Sequence, residues 1–151
     1  MTSIDRLRTV APALADEIDR SDDAGRRRAA IKAAEFALDA SSFHDQRLDQ
    51  AMTAYRDGML GESQTRSVVA NLVESLDHVQ WRLQQRMSEA GATEGEYLNA
   101  FSRARAAASV YYAGAADGRY AALEATYEAT AVVDDIHELI AVVSNALAGD
   151  G

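Results

Sequence analysis

Apolar residues recur at three- and four-residue intervals along most of the chain, and nowhere in the strict alternation of a half-buried strand. That spacing predicts six helices. The first spans about Ser3 to Asp19, with Ile4, Leu7, Ala11, Leu14 and Ile18 on one stripe. Pro12 must kink it or restart it, because proline cannot donate to the i−4 carbonyl. The second, about Asp23 to Ala40, turns Ile31, Ala34 and Leu38 inward, and the third, about Phe43 to Asp57, turns Leu48, Ala51, Met52 and Tyr55 inward behind a Ser41 or Ser42 cap. The fourth, Glu62 to Ala90, carries Val68, Val69, Leu72, Leu76, Val79, Leu83 and Met87. Thr93-Glu94-Gly95-Glu96 is a capping box opening the fifth, which continues to Ala116. The sixth runs from about Arg119 to Leu147.

Two of these helices set the expected shape. A rod such as the fourth helix, at about 1.5 Å per residue, reaches about 43 Å. A compact chain of this length is only about 40 Å across, so the fourth and sixth helices should each cross the molecule. The short links at Gly91-Ala92 and Asp117-Gly118 make the last three helices antiparallel neighbours. The expectation is an all-α, elongated antiparallel bundle in a single domain over 1–151. Residues 1–58 would supply three shorter helices packed beside the three longer ones of 62–148.

Composition narrows the chemistry. The 151 residues are 48% apolar and 26% charged, which is globular rather than disordered. The absence of cysteine removes disulfides, thiolate nucleophiles and cysteine-based zinc sites. The opening "MTSIDRLRTVAPALADEIDR" mixes acids with bases and has no apolar core, so it does not read as a signal peptide. No apolar run is of membrane-spanning length, and a cytoplasmic protein is expected. A net charge of −9 argues against nucleic acid and for a basic protein partner. The run Arg26-Arg27-Arg28, next to Asp22 and Asp23, reads as a solvated or salt-bridged helix face.

The segment "AFSRARAAASVYYAGAADGRYAALEATYEAT" combines alanine richness with four of the six tyrosines. On the fifth helix Leu98, Phe101, Ala104, Ala108, Tyr112 and Ala115 share a stripe, and small residues there let backbones approach closely. This helix should therefore have neighbours on more than one side. Arg105, beside that stripe, should meet a carboxylate or emerge at its edge.

Catalytic and metal signatures are weak. Glu74 and His78, with Asp134 and His137, offer the nearest approach to the Glu-x-x-His pattern of di-metal bundles, but Arg103 and Arg105 stand mid-way along the fifth helix. The serines sit in helical or capping positions without a nucleophile elbow. No catalytic residue, cofactor or metal ligand is assigned. Two faces fall outside their helices' apolar stripes: Trp81 with Glu74 and Asp77 on the fourth helix, and Tyr120 and Tyr127 with Asp134 and Glu138 on the sixth. Aromatics framed by acids have the anatomy of an interaction patch, or else they lie buried under the N-terminal helices.

The phrases "AAIKAAEFALDAS", "VESLDHVQWRLQQ", "YLNAFSRARAAASV" and "AALEATYEAT" resemble a family of small all-helical bacterial proteins of unassigned activity, and less specifically helical toxin-immunity proteins. That resemblance implies a non-enzymatic binding role, with a basic toxin as one kind of partner. Two other readings stay open: a ferritin-like metal protein or enzyme using Glu74, His78, Asp134 and His137, and a homo-oligomeric structural protein, a homodimer among the options, pairing through its long helices.

Overall fold

The computed structural model describes residues 6–89 and 91–149. Among them are a short 3-10 turn, Arg6–Thr9, and seven α-helices: α1 Pro12–Arg20, α2 Asp23–Ser41, α3 Gln46–Arg56, α4 Gln64–Ser88, α5 Glu94–Ala113, α6 Gly118–Thr130 and α7 Ile136–Ala148. No strand occurs among the described residues.

Local chemistry sets the helix ends. Pro12 restarts the chain as α1, because its fixed φ and missing N–H suit the first helical turn. Leu7, Ala11, Leu14 and Ile18 are buried as expected, while Ile4 lies outside the described residues. Asp22, Asp45, Ser63, Thr93, Asp117 and Asp135 cap α2 to α7, each side chain accepting a backbone N–H of the first turn. The cap of α3 is thus Asp45 rather than Ser41 or Ser42. Ser42 instead ends α2 in a left-handed conformation, φ 52°.

The expected sixth helix is two helices. After Thr130 the amides of Ala131 and Val132 bond back to Glu128 and Ala129, tightening and closing α6. The β-branched Val132 and Val133 then lead into Asp134-Asp135, where a short carboxylate can satisfy the amide of His137 and begin α7. A helix start proved more favourable here than helix continuation.

The centre of the fold also differs from the expected hairpin pair. α2 packs on α5, α6 and α7, so it is central rather than peripheral. Its buried side is Ala29, Ala30, Ala33, Ala34 and Ala37, with Ile31 and Leu38 only partly covered. α5 and α6 answer with alanines of their own, among them Ala106, Ala107, Ala121, Ala122 and Ala125, all at 0% exposure. Methyl-sized side chains let three helices approach closely, and bulk comes from outside: Leu7, Ile18, Leu48, Leu139 and Val143 are fully buried contributions of the outer elements.

α4 is also an outer helix, packed on α5 and α3. Its pairing with α5 is antiparallel: Arg66 reaches the Tyr111 carbonyl, Asp77 meets Arg105, and Gln80 meets the Tyr97 hydroxyl. Only Val69 and Leu72 of α4 are buried. From 73 to 103 no described residue is buried at all, so the far half of α4 and the near half of α5 form an arm of two helices.

The Arg26-Arg27-Arg28 run is partly buried and is spent on backbone carbonyls rather than on ion pairs among the described residues. Arg26 donates to the carbonyls of Ile18 and Asp19 at the end of α1, Arg27 to those of Ala115 and Ala116 beyond α5, and Arg28 to that of Ala146 in α7. Consecutive helical residues point about 100° apart. Three in a row therefore reach three different helix ends, whose last carbonyls lack intrahelical donors.

Candidate interaction surface

The expected site residues fall into three separate places. Glu74, Asp77 and Trp81 do come together on the outer face of the arm, where they and His78 line one shallow depression. Helical spacing puts all four on one side of α4, and Asp77, at the edge of that side, still reaches Arg105 of α5. Trp81 is 54% exposed, so it is not covered by the N-terminal helices. Two further large apolar side chains on the arm are open to solvent, Val79 and Leu98, although their helices' periodicity assigned both to the core.

Asp77 anchors this depression to the body. One of its oxygens accepts from Arg105 Nη2 at 2.6 Å, while Arg105 Nη1 donates to Glu128 at 2.8 Å. Glu128 and Glu124, one turn apart on α6, both accept from Arg6. The result is a continuous line of alternating charge, Asp77–Arg105–Glu128–Arg6–Glu124. Arg6 holds its proton more firmly than a free guanidinium, since partial burial disfavours its charge but the hydrogen bonds and charges of Glu124 and Glu128 outweigh that. Arg105 thus meets carboxylates as expected.

The tyrosines of α6 belong to that network more than to an open face. Tyr127 is partly buried, with the Arg6 guanidinium 4.3 Å from its ring centre. Arg6 lies over the ring, and no aromatic pair joins Tyr127 to the N-terminal helices among the described residues. Tyr120 keeps 42% exposure but packs edge-on against Tyr112, 5.8 Å between centres. Burial, with help from the neighbouring Tyr120, raises the Tyr112 phenol above its ordinary pKa. Burial is the larger cause.

Asp134 and Glu138 lie elsewhere, at the α6–α7 joint, bordering a groove with Phe36, Val132, Val133 and Val142. Sequence spacing had placed them with Tyr120 and Tyr127 on one continuous helix, and the break between α6 and α7 separates them. On a continuous helix Val132 and Val133 would extend the apolar spacing of Ala125 and Ala129, so spacing alone gives no sign that they line a groove. The available signal was the pair of β-branched residues directly before two aspartates, a helix stop followed by a helix start.

Among the described residues, no three or more His, Asp or Glu side chains gather as a metal could require. Glu74 and His78 stand on the arm, while Asp134 and His137 stand at the α6–α7 joint. No helix among the described residues is long and apolar enough to cross a membrane. No family model, curated protein or solved structure matches the chain.

Proposed function

We propose that this chain is a non-enzymatic protein-binding module that docks a basic partner on the Trp81 face of the α4–α5 arm. The observation that carries the reading is the arm itself. Residues 73–103 include no buried described residue, yet Val79, Trp81 and Leu98 stand 46%, 54% and 50% exposed. Two helices that cover each other on one side only leave apolar surface in water, and such patches mark interaction sites. Tryptophan is the side chain most enriched among binding hot spots, and the Glu74 and Asp77 carboxylates beside it favour a cationic rim on the partner. The net charge of −9 adds long-range attraction for the same partner. A toxin-neutralising role, as the family resemblance implies, is one case of this class.

The test places a photo-crosslinking amino acid at position 81 in living cells, with position 49 on α3 as the control. One basic protein joined to position 81 alone is the expected result. Trp81→Ala should then weaken the purified pair by about 2 kcal/mol, roughly thirtyfold, without lowering the melting temperature. A crosslink to a second copy of the chain would reassign the face to homodimerisation. Equal labelling from both positions, or unchanged affinity in Trp81→Ala, would remove the arm as the docking surface.

A further inference from the structure

We propose that the groove between the C-terminal half of α2 and the α6–α7 joint is a second docking site, for a basic amphipathic helix of a partner protein. This inference is independent of the Trp81 face. The groove exists because the chain breaks between Thr130 and Ile136: Val132 and Val133 are turned into its floor, and Phe36 of α2 and Val142 of α7 complete it. It is open to solvent and encloses about 630 Å³, room for several side chains. Floor residues such as Phe36, Val132 and Val133 rest on the core beneath and are only partly covered above.

The rim decides what fits. Asp39, Asp134, Asp135 and Glu138 border the groove, and none of its lining residues is basic. Asp135 is occupied as the cap of α7, accepting the His137 amide at 2.9 Å. Asp134 and Glu138 gain something from the positive end of the α7 dipole. Asp39 gains nothing of the kind. It lies in the last turn of α2, where unsatisfied carbonyls make a carboxylate unfavourable, and no basic residue shares that turn. The side chains of Asp39, Asp134 and Glu138 make no hydrogen bond or ion pair among the described residues. An apolar floor between acids on two helices, with no basic residue in the lining, complements one kind of ligand: a helix with apolar anchors at i, i+3 or i+4 and lysine or arginine along both flanks.

The probe for the test is a short synthetic helix of leucine and lysine, apolar on one face and cationic on the other, followed by fluorescence anisotropy at low and at physiological salt. Neutralising the rim with Asp39→Asn, Asp134→Asn and Glu138→Gln together should weaken binding about tenfold or more. The near-isosteric pair Val132→Thr and Val142→Thr should weaken it severalfold through the floor. A control triple far from the groove, Asp57→Asn, Glu62→Gln and Glu89→Gln, changes net charge equally and should have little effect. Trp81→Ala should have none. The proposal falls if the control triple weakens binding as much as the rim triple, which would mean general charge attraction. It also falls if the floor pair changes nothing, or if spermine displaces the probe at equal charge, since the groove would then be an acidic cluster only. Loss of probe binding in Trp81→Ala would move the probe to the arm and overturn the groove while leaving the arm reading standing.

Discussion

Replacing Glu128 by glutamine removes one charge from the middle of the Asp77–Arg105–Glu128–Arg6–Glu124 line. The wild-type side chain is 3% exposed, and each of its oxygens accepts from a different guanidinium, Arg6 at 3.0 Å and Arg105 at 2.8 Å. A charge-assisted hydrogen bond contributes about 1.5–3 kcal/mol, so two would suggest a loss of several. Three effects reduce it. Glutamine keeps one acceptor, Arg6 retains Glu124, and Arg105 retains Asp77. Against these, the new amide group turns donors toward a guanidinium that has only donors. The balance is a destabilisation of about 2–3 kcal/mol, below the 3–5 kcal/mol typical of a buried charge left wholly alone. For a chain of this size that lowers the melting temperature by about 5–10 °C. Thermal melts followed by circular dichroism at neutral pH, with urea titrations for the slope, measure it. A shift under about 2 °C with an unchanged urea slope would show that the buried carboxylate is not what holds α6 to the N-terminal turn and α5.

Tyr55 offers a test in the other direction. Its hydroxyl is buried without a partner, and burial pushes the phenol up to about 12. Tyr55→Phe should therefore stabilise the protein by about 1 kcal/mol. Because the folded pKa lies above the ordinary 10, this group's contribution is complete below about pH 10 and lost as pH rises toward 12. Wild type should lose stability faster than Tyr55→Phe across that window, and parallel curves would refute the point. A Cβ on Gly114 would overlap the Tyr55 ring, so Gly114→Ala should cost about 1–3 kcal/mol in denaturant titrations. Tyr55→Leu in the same chain should recover part of that cost, and no recovery would mean the glycine serves another purpose. The Asp19 carboxyl is held below its ordinary value by its hydrogen bond to Arg119, against some desolvation and with help from Arg8. Asp19→Asn should then be less stable than wild type at neutral pH, with the gap closing as pH falls below about 4. A gap that persists in acid would exclude the ion pairs as its source.

Periodicity located the helices well where one face meets the core. α3 is the clear case: Leu48, Ala51, Met52 and Tyr55 are all buried. It misplaced the phase of α2 because a helix covered on several sides by other helices has little apolar contrast around it, and its core side is alanine, which looks neutral in any pattern. It extended the core along α4 for the opposite reason. Val79 and Met87 repeat the stripe faithfully, but repetition says nothing about whether a third element arrives to cover it. Of the candidate site, the grouping of Trp81 with Glu74 and Asp77 was legible because all three share one helix face. The link from Asp77 through Arg105 to Glu128 and Arg6 was not, since it joins four elements separated by as many as 122 residues. The room that Gly114 leaves for Tyr55 was equally hidden: its φ of −87° is ordinary, and only a neighbour far away in sequence makes glycine necessary.

The three arginines opening α2 have a consequence for the order in which this chain can become itself. Arg26 finds its carbonyls 7 and 8 residues away, Arg27 88 and 89 residues away, and Arg28 118 residues away. While the polypeptide is being synthesised, the first of these can close almost at once, but the last must wait until Ala146 has left the ribosome. A single helical turn therefore records the chain's progress, one guanidinium engaged early, one much later and one only after Ala146. Contacts over such spans slow folding, because the loop must close before the contact repays it. They also tie the parts together: a fragment ending after α3 would carry two of those three cations with nothing to cap, and a fragment beginning at α4 would carry the frayed ends of α5 and α7. The helices are in this sense tied together at one corner, and that corner is fastened only once Ala146 has been made.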